Sequence, residues 1–323
     1  MHVVVTGGAG FVGARLIQSL LDPATATDTL PVSRITSIDL APCPVDDDRV
    51  TSLTGDISDP ALIKQALTED TMAVCHLAAV VSSQAEAEFE LGMRINLDAT
   101  RALLEQCRAH PQRIRFLFAS SLAVFGPPES EPVPENVAPE PRSSYGIQKA
   151  IGELLVNDYS RRGFVDGRVC RLPTVVVRPG RPNRAASSFA SSIIREPVAG
   201  EEAICPVAAD LPLWLSSPRA VVTNLQRALQ LTPEQLDNYS WRTFNLPGLT
   251  VTVEEMLNAL ERQVGSEARQ RVRFERDPTI EAIAASWPGA LETHRAQALG
   301  LEADADFDAV VRAHLEETGH TTP

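Results

Sequence analysis

Apolar and polar positions change rhythm repeatedly along the chain. Residues 2–6, His-Val-Val-Val-Thr, are a short β-branched run, the pattern of a strand buried in a parallel sheet. Phe11, Val12, Leu16, Ile17, Leu20 and Leu21 then recur at helical spacing and predict a helix over 11–21. A Pro/Thr/Asp-rich loop follows at 22–33. Strand-like runs come next at 35–40, ending at Asp39, and at 53–57, the latter a third strand or its end, separated by a loop at 41–50. Ser58 or Asp59 as cap and Pro60 at the first turn open a helix over 60–67.

The alternation continues with a strand at 73–79, a long amphipathic helix at 87–110, and a strand at 116–120. A Pro-rich loop at 127–142 leads to a helix at about 144–161 and a strand at 168–177. Repeated strand–helix alternation predicts an α/β fold, a doubly wound parallel sheet of Rossmann type. The remainder is less regular. It predicts helices near 186–196, 217–231, 251–264 and 305–317, and a short strand at 243–246. We therefore expect a nucleotide-binding domain over 1–177, joined by about 217–247 returning to the sheet. Residues 178–216 and 248–323 are expected to form a smaller, mixed substrate lobe over the sheet's carboxyl edge.

Composition narrows the partners. The 323 residues carry a formal net charge of −13, which repels nucleic-acid phosphate and anionic lipid. No apolar run approaches the length of a membrane span, and no basic n-region of a signal peptide is present. The five cysteines, at 43, 75, 107, 170 and 205, have no C-x-x-C spacing, and the six histidines have no H-E-x-x-H. No metal site is expected, and idle thiols in a reducing cytoplasm are the simplest account. Only two of the 29 basic residues are lysine, Lys64 and Lys149.

Three glycines, Gly7, Gly10 and Gly13, stand between the first strand and the first helix in G-x-x-G-x-x-G spacing. The first permits a tight turn, the second lets a pyrophosphate approach bare backbone, and the third lets helix pack on strand. Phe11 and Val12, inside the motif, join the candidate cofactor contacts, because the helix N-terminus aims free N–H groups at phosphate. Asp39 ends the second strand, where a carboxylate accepts from a ribose 2′-hydroxyl and repels a 2′-phosphate. Leu40 and Ala41 beyond it offer no arginine for that phosphate, so NAD is expected rather than NADP. Asp56 and Ile57 are candidates for the adenine side.

Tyr145 and Lys149 lie at i and i+4 on one predicted helix face. A phenol is a poor base at neutral pH, and a fixed positive charge nearby lowers its pKa toward the working range. Ser120 and Ser121 follow the fifth strand, whose carboxyl end should lie at the same crevice, where a hydroxyl can hold a substrate oxygen.

Together, Thr6-Gly-Gly-Ala-Gly-Phe-Val-Gly13, His76-Leu-Ala-Ala79, Ser120-Ser-Leu-Ala-Val-Phe-Gly126 and Tyr145-x-x-x-Lys149 resemble the extended short-chain dehydrogenases/reductases, the NAD-dependent epimerase/dehydratase family. The resemblance implies a Ser121–Tyr145–Lys149 triad and cofactor positions at Ala78 and Asn96, the asparagine supporting the lysine. It also implies a homodimer through two long helices, although apolar faces there equally serve the core. Leu211-Pro-Leu-Trp-Leu-Ser-Ser-Pro-Arg219 lacks the arginine that nucleotide-sugar epimerases use for the substrate pyrophosphate. Segments 145–159, 171–180, 186–200 and 213–219, with Asn245-Leu-Pro-Gly248, resemble the narrower D-erythronate dehydrogenases. That resemblance implies oxidation at C2 of a four-carbon sugar acid.

A sugar acid needs a carboxylate clamp, and arginine binds carboxylate bidentately. Arg178, directly after the sixth strand, is the first candidate, with Arg219, Arg181, Arg184 and Arg195 behind it. Thr174, Ser187 and Ser188 are candidates for substrate hydroxyls. Two other readings compete: a nucleotide-sugar epimerase or dehydratase with retained NAD, and a non-catalytic NAD-binding scaffold.

Overall fold

The structure, a computed structural model, describes residues 1–23, 31–180, 185–237 and 241–320. The first half runs β1 (His2–Thr6), α1 (Phe11–Leu21), β2 (Arg34–Asp39), β3 (Val50–Thr54), α2 (Pro60–Ala66), β4 (Thr71–His76), α3 (Ser82–Ala87), α4 (Phe89–Gly92), a π-helical turn (Met93–Asp98), α5 (Ala99–Ala109), β5 (Arg115–Ser121), α6 (Ser144–Arg161) and β6 (Asp166–Leu172). The second half runs β7 (Thr174–Val175), α7 (Ser188–Val198), β8 (Ala203–Cys205), β9 (Pro212–Ser216), α8 (Pro218–Gln230), α9 (Pro233–Asp237), β10 (Thr243–Asn245), β11 (Leu249–Thr252), α10 (Val253–Val264), α11 (Ser266–Gln270), β12 (Val272–Phe274), α12 (Pro278–Ala285), α13 (His294–Ala298) and α14 (Phe307–Thr318).

Seven parallel strands form the central sheet in the order β10-β6-β5-β4-β1-β2-β3. The order reverses between β1 and β4, and ligands of such sheets bind at that switch point, outside the strands' carboxyl ends. One face of the sheet buries Leu16, Ile17 and Leu20 of α1 with Val221, Leu225 and Leu229 of α8 against Val3 and Val5. The other buries Ile63 of α2, Leu103 and Leu104 of α5 and Val156 of α6 against Val4, Val74 and Phe116. Each such side chain, fully buried, contributes roughly 1.5–3 kcal/mol. The second lobe has its own core, from Phe189 and Ile193 of α7, Met256 and Leu260 of α10 and Val311 of α14. Within residues 217–247, α8 joins the first core and β10 pairs parallel with β6.

Four element boundaries differ from the sequence expectation, each for a physical reason. β3 occupies 50–54 rather than 53–57, because it is an edge strand. Backbone pairing to β2, from Ile35 with Val50 to Asp39 with Thr54, defines it and leaves Thr51, Ser52 and Thr54 exposed. β4 ends at His76 rather than at 79, and the chain beyond it crosses the switch point. The predicted helix over 87–110 is broken at Glu88 and carries the π turn at 93–98. Apolar spacing survives such a turn, so the pattern does not announce it. The strand expected over 168–177 stops at Leu172: Pro173 has no N–H for the ladder, and β7 joins β9 in a separate three-stranded sheet.

Candidate active site

The glycine loop is shaped by steric demand. Gly7 has φ +73°, donates to the Ile38 carbonyl at 2.8 Å, and a Cβ there would lie 2.8 Å from the Ala78 nitrogen. A Cβ on Gly13 would come 2.1 Å from the Gly7 oxygen. On Gly10 it would meet only that oxygen, at 3.2 Å, so the protein itself scarcely demands a glycine there. Gly10 caps α1, and no side chain caps that helix or places an acid in its first turn. Its positive end is therefore left for an anion. Gly8, outside the predicted set, is also constrained: a Cβ would lie 2.2 Å from Ser37 Oγ.

Asp39 joins strand end to loop: Oδ2 accepts from Ala9 N–H at 3.0 Å and Oδ1 from Leu40 N–H at 2.7 Å. Phe11 and Val12 pack half-buried on the first core. These residues fit NAD: the open helix end would take a pyrophosphate, and Asp39, followed by Leu40 and Ala41 rather than arginine, would take a ribose hydroxyl. Asp56 is already committed, holding Arg94 at 2.6 Å and the Ser58 N–H at 2.8 Å, while Ile57 is buried in the second-face core. Ala78 N–H donates to Thr6 Oγ1 at 3.2 Å. Asn96 lies in the π turn. Its amide binds Val80 N–H and C=O at 2.8 and 3.0 Å and donates to Gln148 at 2.8 Å. It thus reaches the residue beside Lys149 rather than the lysine itself.

Ser143 caps α6, accepting from Gly146 N–H at 3.2 Å, and so sets Tyr145 in the first turn. Lys149 is buried. Its ammonium donates to the Ala119 carbonyl at 2.8 Å and lies 5.7 Å from the centre of the Tyr145 ring. Burial pulls the Lys149 pKa down to about 8, against the pull of the Glu153 carboxylate. Tyr145 is raised above the ordinary phenol value by burial, opposed by a hydrogen bond from Ser121 and by the charge of Arg178. In the protein alone burial outweighs the opposing Ser121 hydrogen bond and Arg178 charge at the phenol, while Lys149 donates to Ala119. Ser120 does not face this site; it donates to Glu153 at 2.5 Å, which pairs with Arg171 at 2.7 Å.

A cavity of about 90 Å³ opens at this point, lined by Ser121, Tyr145, Thr174, Arg178 and Ser187 together with Ser82, Trp287 and an apolar wall of Val81, Leu122, Ala123, Pro173 and Ala185. Arg178 donates from Nη2 to Ser187 Oγ at 3.1 Å and from Nε to the Val175 carbonyl at 3.0 Å. Arg195 stands behind it, donating to the Arg178 carbonyl at 2.8 Å, and does not line the cavity. Arg219 is not brought here: it is exposed on α8, in a separate groove with Arg227, Glu302 and Asp304. Arg181 and Arg184 lie outside the described residues, and Ser188 opens α7 without lining the cavity. Trp287, Val81 and Ser82 escaped the sequence reading. The first arrives from the far end of the chain with no local signal; the other two follow a strand carrying no motif of their own.

Residues 3–214 match the NAD dependent epimerase/dehydratase family. The chain belongs to that family. It is an NAD-dependent dehydrogenase: among its relatives is the D-erythronate dehydrogenase of Cupriavidus necator, 55% identical over 99% of both chains. That of Haemophilus influenzae is 46% identical over 98% of this chain and 99% of its own. A solved structure described as the nucleoside-diphosphate-sugar epimerase from Agrobacterium tumefaciens superposes with TM-score 0.93 at 38% identity, covering 99% of this chain and 95% of that one. Among the described residues no helix of this family member is long and apolar enough to cross a membrane.

Proposed function

We propose that this dehydrogenase oxidises the C2 hydroxyl of D-erythronate to 2-dehydro-D-erythronate, in the breakdown of carbohydrate acids. The observation that carries the reading is the convergence of Ser121, Tyr145 and Arg178 on one small cavity. A proton acceptor, a hydroxyl donor and a carboxylate clamp are what a short 2-hydroxy acid requires. The names of the two relatives support the choice of acid.

When bound, NAD supplies the hydride acceptor. The glycine loop and Asp39 would hold its pyrophosphate and ribose, and Lys149 its nicotinamide ribose. Tyr145, as phenolate, takes the proton from the C2 hydroxyl while the C2 hydrogen leaves with its electron pair as hydride. Ser121 donates to the same oxygen and holds it in place as its charge changes. Arg178 takes the C1 carboxylate, and the Lys149 ammonium, 5.7 Å from the centre of the Tyr145 ring, favours the phenolate. Cys75 lies in the core of the sheet and does not line the cavity, and burial pushes its thiol up to about 12.

The test is the appearance of NADH absorbance with D-erythronate, its diastereomers and a UDP-sugar in parallel. NADH from D-erythronate above the other acids supports the reading. The description of the Agrobacterium structure favours a second reading, a nucleotide-sugar epimerase. Turnover of the UDP-sugar without net NADH establishes that one instead.

A further inference from the structure

A chain of buried hydrogen bonds runs through His76 beneath the switch point, and its direction follows from proton counting. Thr100 Oγ1 lies 2.7 Å from the Asn96 carbonyl, which has no proton to give, so the threonine hydroxyl donates there. That hydroxyl then only accepts from His76 Nε2, 2.8 Å away, which places a proton on Nε2. On the other side Thr6 Oγ1 accepts from Ala78 N–H at 3.2 Å and lies 2.7 Å from His76 Nδ1. If Nδ1 were also protonated, the Thr6 proton would be left buried without an acceptor. Thr6, His76, Thr100 and Asn96 are each at most 2% exposed.

We propose that His76 is a positioning residue, a neutral imidazole protonated on Nε2 that holds the cofactor crevice to the π turn through this one-way chain. The path runs from Ala78 N–H through Thr6, His76 and Thr100 to the Asn96 carbonyl. The Asn96 side chain then returns to Val80 N–H and C=O. The segment 77–80 is thus fastened at both ends, and Ala78 within it sets the clearance over Gly7. The charged group acting on the ring is Lys149; the rings of Phe116 and Phe118 lie 6.1 and 5.8 Å away. Burial and that charge keep the imidazole neutral, with its pKa lowered to about 3.

Two measurements on the full-length protein test this. Nitrogen-15 NMR of labelled histidine, with His76 assigned by its loss in His76→Asn, should show a neutral ring protonated on Nε2 from pH 8 down to pH 5. A proton on Nδ1, or a charged ring at pH 6, overturns the proposal. Thr100→Val, nearly isosteric, and His76→Asn should each raise the dissociation constant for NAD, read by calorimetry, by about tenfold for a lost buried hydrogen bond. The KM for NAD should rise with it, while kcat at saturating NAD moves less than about twofold. Unchanged NAD affinity in variants that fold, or a loss confined to kcat, overturns the positioning role. If His76→Asn fails to fold, Thr100→Val and the wild-type tautomer decide.

Discussion

The Lys149 ammonium donates to the Ala119 carbonyl at 2.8 Å, tying α6 to the end of β5 one helical turn from Tyr145. Its partner is a backbone oxygen, so the lysine keeps its place whether or not the phenol is ionised. Tyr145→Phe removes the proton acceptor while leaving the ring and this contact. It should lower kcat about a thousandfold, within the range of general-base catalysis, with NAD affinity unchanged. Turnover within tenfold of wild type would remove Tyr145 from its role.

Arg178 is held over the cavity by Ser187 and the Val175 carbonyl, with its guanidinium 5.8 Å from the centre of the Phe11 ring. Replacing it by alanine deletes the proposed carboxylate clamp. We expect kcat/KM for the acid to fall about a hundredfold or more, as for a truncated buried charge pair. Arg219→Ala, on the distant groove, should leave kinetics unchanged. Steady-state rates for both variants check the assignment, and the reverse ranking would transfer the clamp to Arg219.

Asp39 binds both Ala9 and Leu40 backbone N–H groups, so it shapes the loop as well as being our proposed ribose contact. Asp39→Ser with Leu40→Arg should weaken NAD and strengthen NADP, narrowing the ratio of their kcat/KM values by about tenfold or more. A ratio that does not move places the ribose elsewhere.

Acid should weaken the fold. His2 and His76 are buried with pKa values lowered from 6.5 to about 4 and about 3, desolvation being the main cause in each. Below pH 6.5 the unfolded chain binds protons that the folded one refuses. Stability from these groups is complete above 6.5 and is lost as pH falls toward 3. Urea midpoints measured at pH 7 and pH 5 should fall by a clear margin, and equal midpoints would contradict the neutral-histidine picture.

The outer face of α6 carries exposed Ile147 and Leu154 two turns apart, and α4 carries exposed Phe89. The family resemblance implies a homodimer through the two long helices, and we propose that this face forms it. Sedimentation of the wild type should give the dimer mass, and Leu154→Asp with Ile147→Asp should shift it to monomer while the far-ultraviolet spectrum holds. A monomeric wild type ends that proposal.

Much of this was legible because it is local. The 2–6 run, the helical rhythm of 11–21 and the glycine spacing between them are short-range demands of a buried strand, an amphipathic helix and a tight turn. Tyr145 and Lys149 share a face by helix geometry alone. Arg178 was singled out as following the sixth strand directly, but that strand of the sheet ends at Leu172, and the chain reaches the cavity by way of β7 in the separate three-stranded sheet. The edge strand β3 was harder to bound, because hydrogen bonds to one neighbour, not burial, decide where it starts.

By itself the sequence determined the fold class, the glycine spacing between the first strand and the first helix, and the shared helix face of Tyr145 and Lys149, each set by residues within a few turns of one another. Only the tertiary structure decided that Trp287 lines the cavity, that Arg219 faces another groove, and that Lys149 turns to Ala119. It alone joined Ala78 to Asn96 through His76. These are contacts between chain segments far apart in sequence, and no local periodicity or spacing encodes which side chains a folded sheet and its second lobe bring face to face.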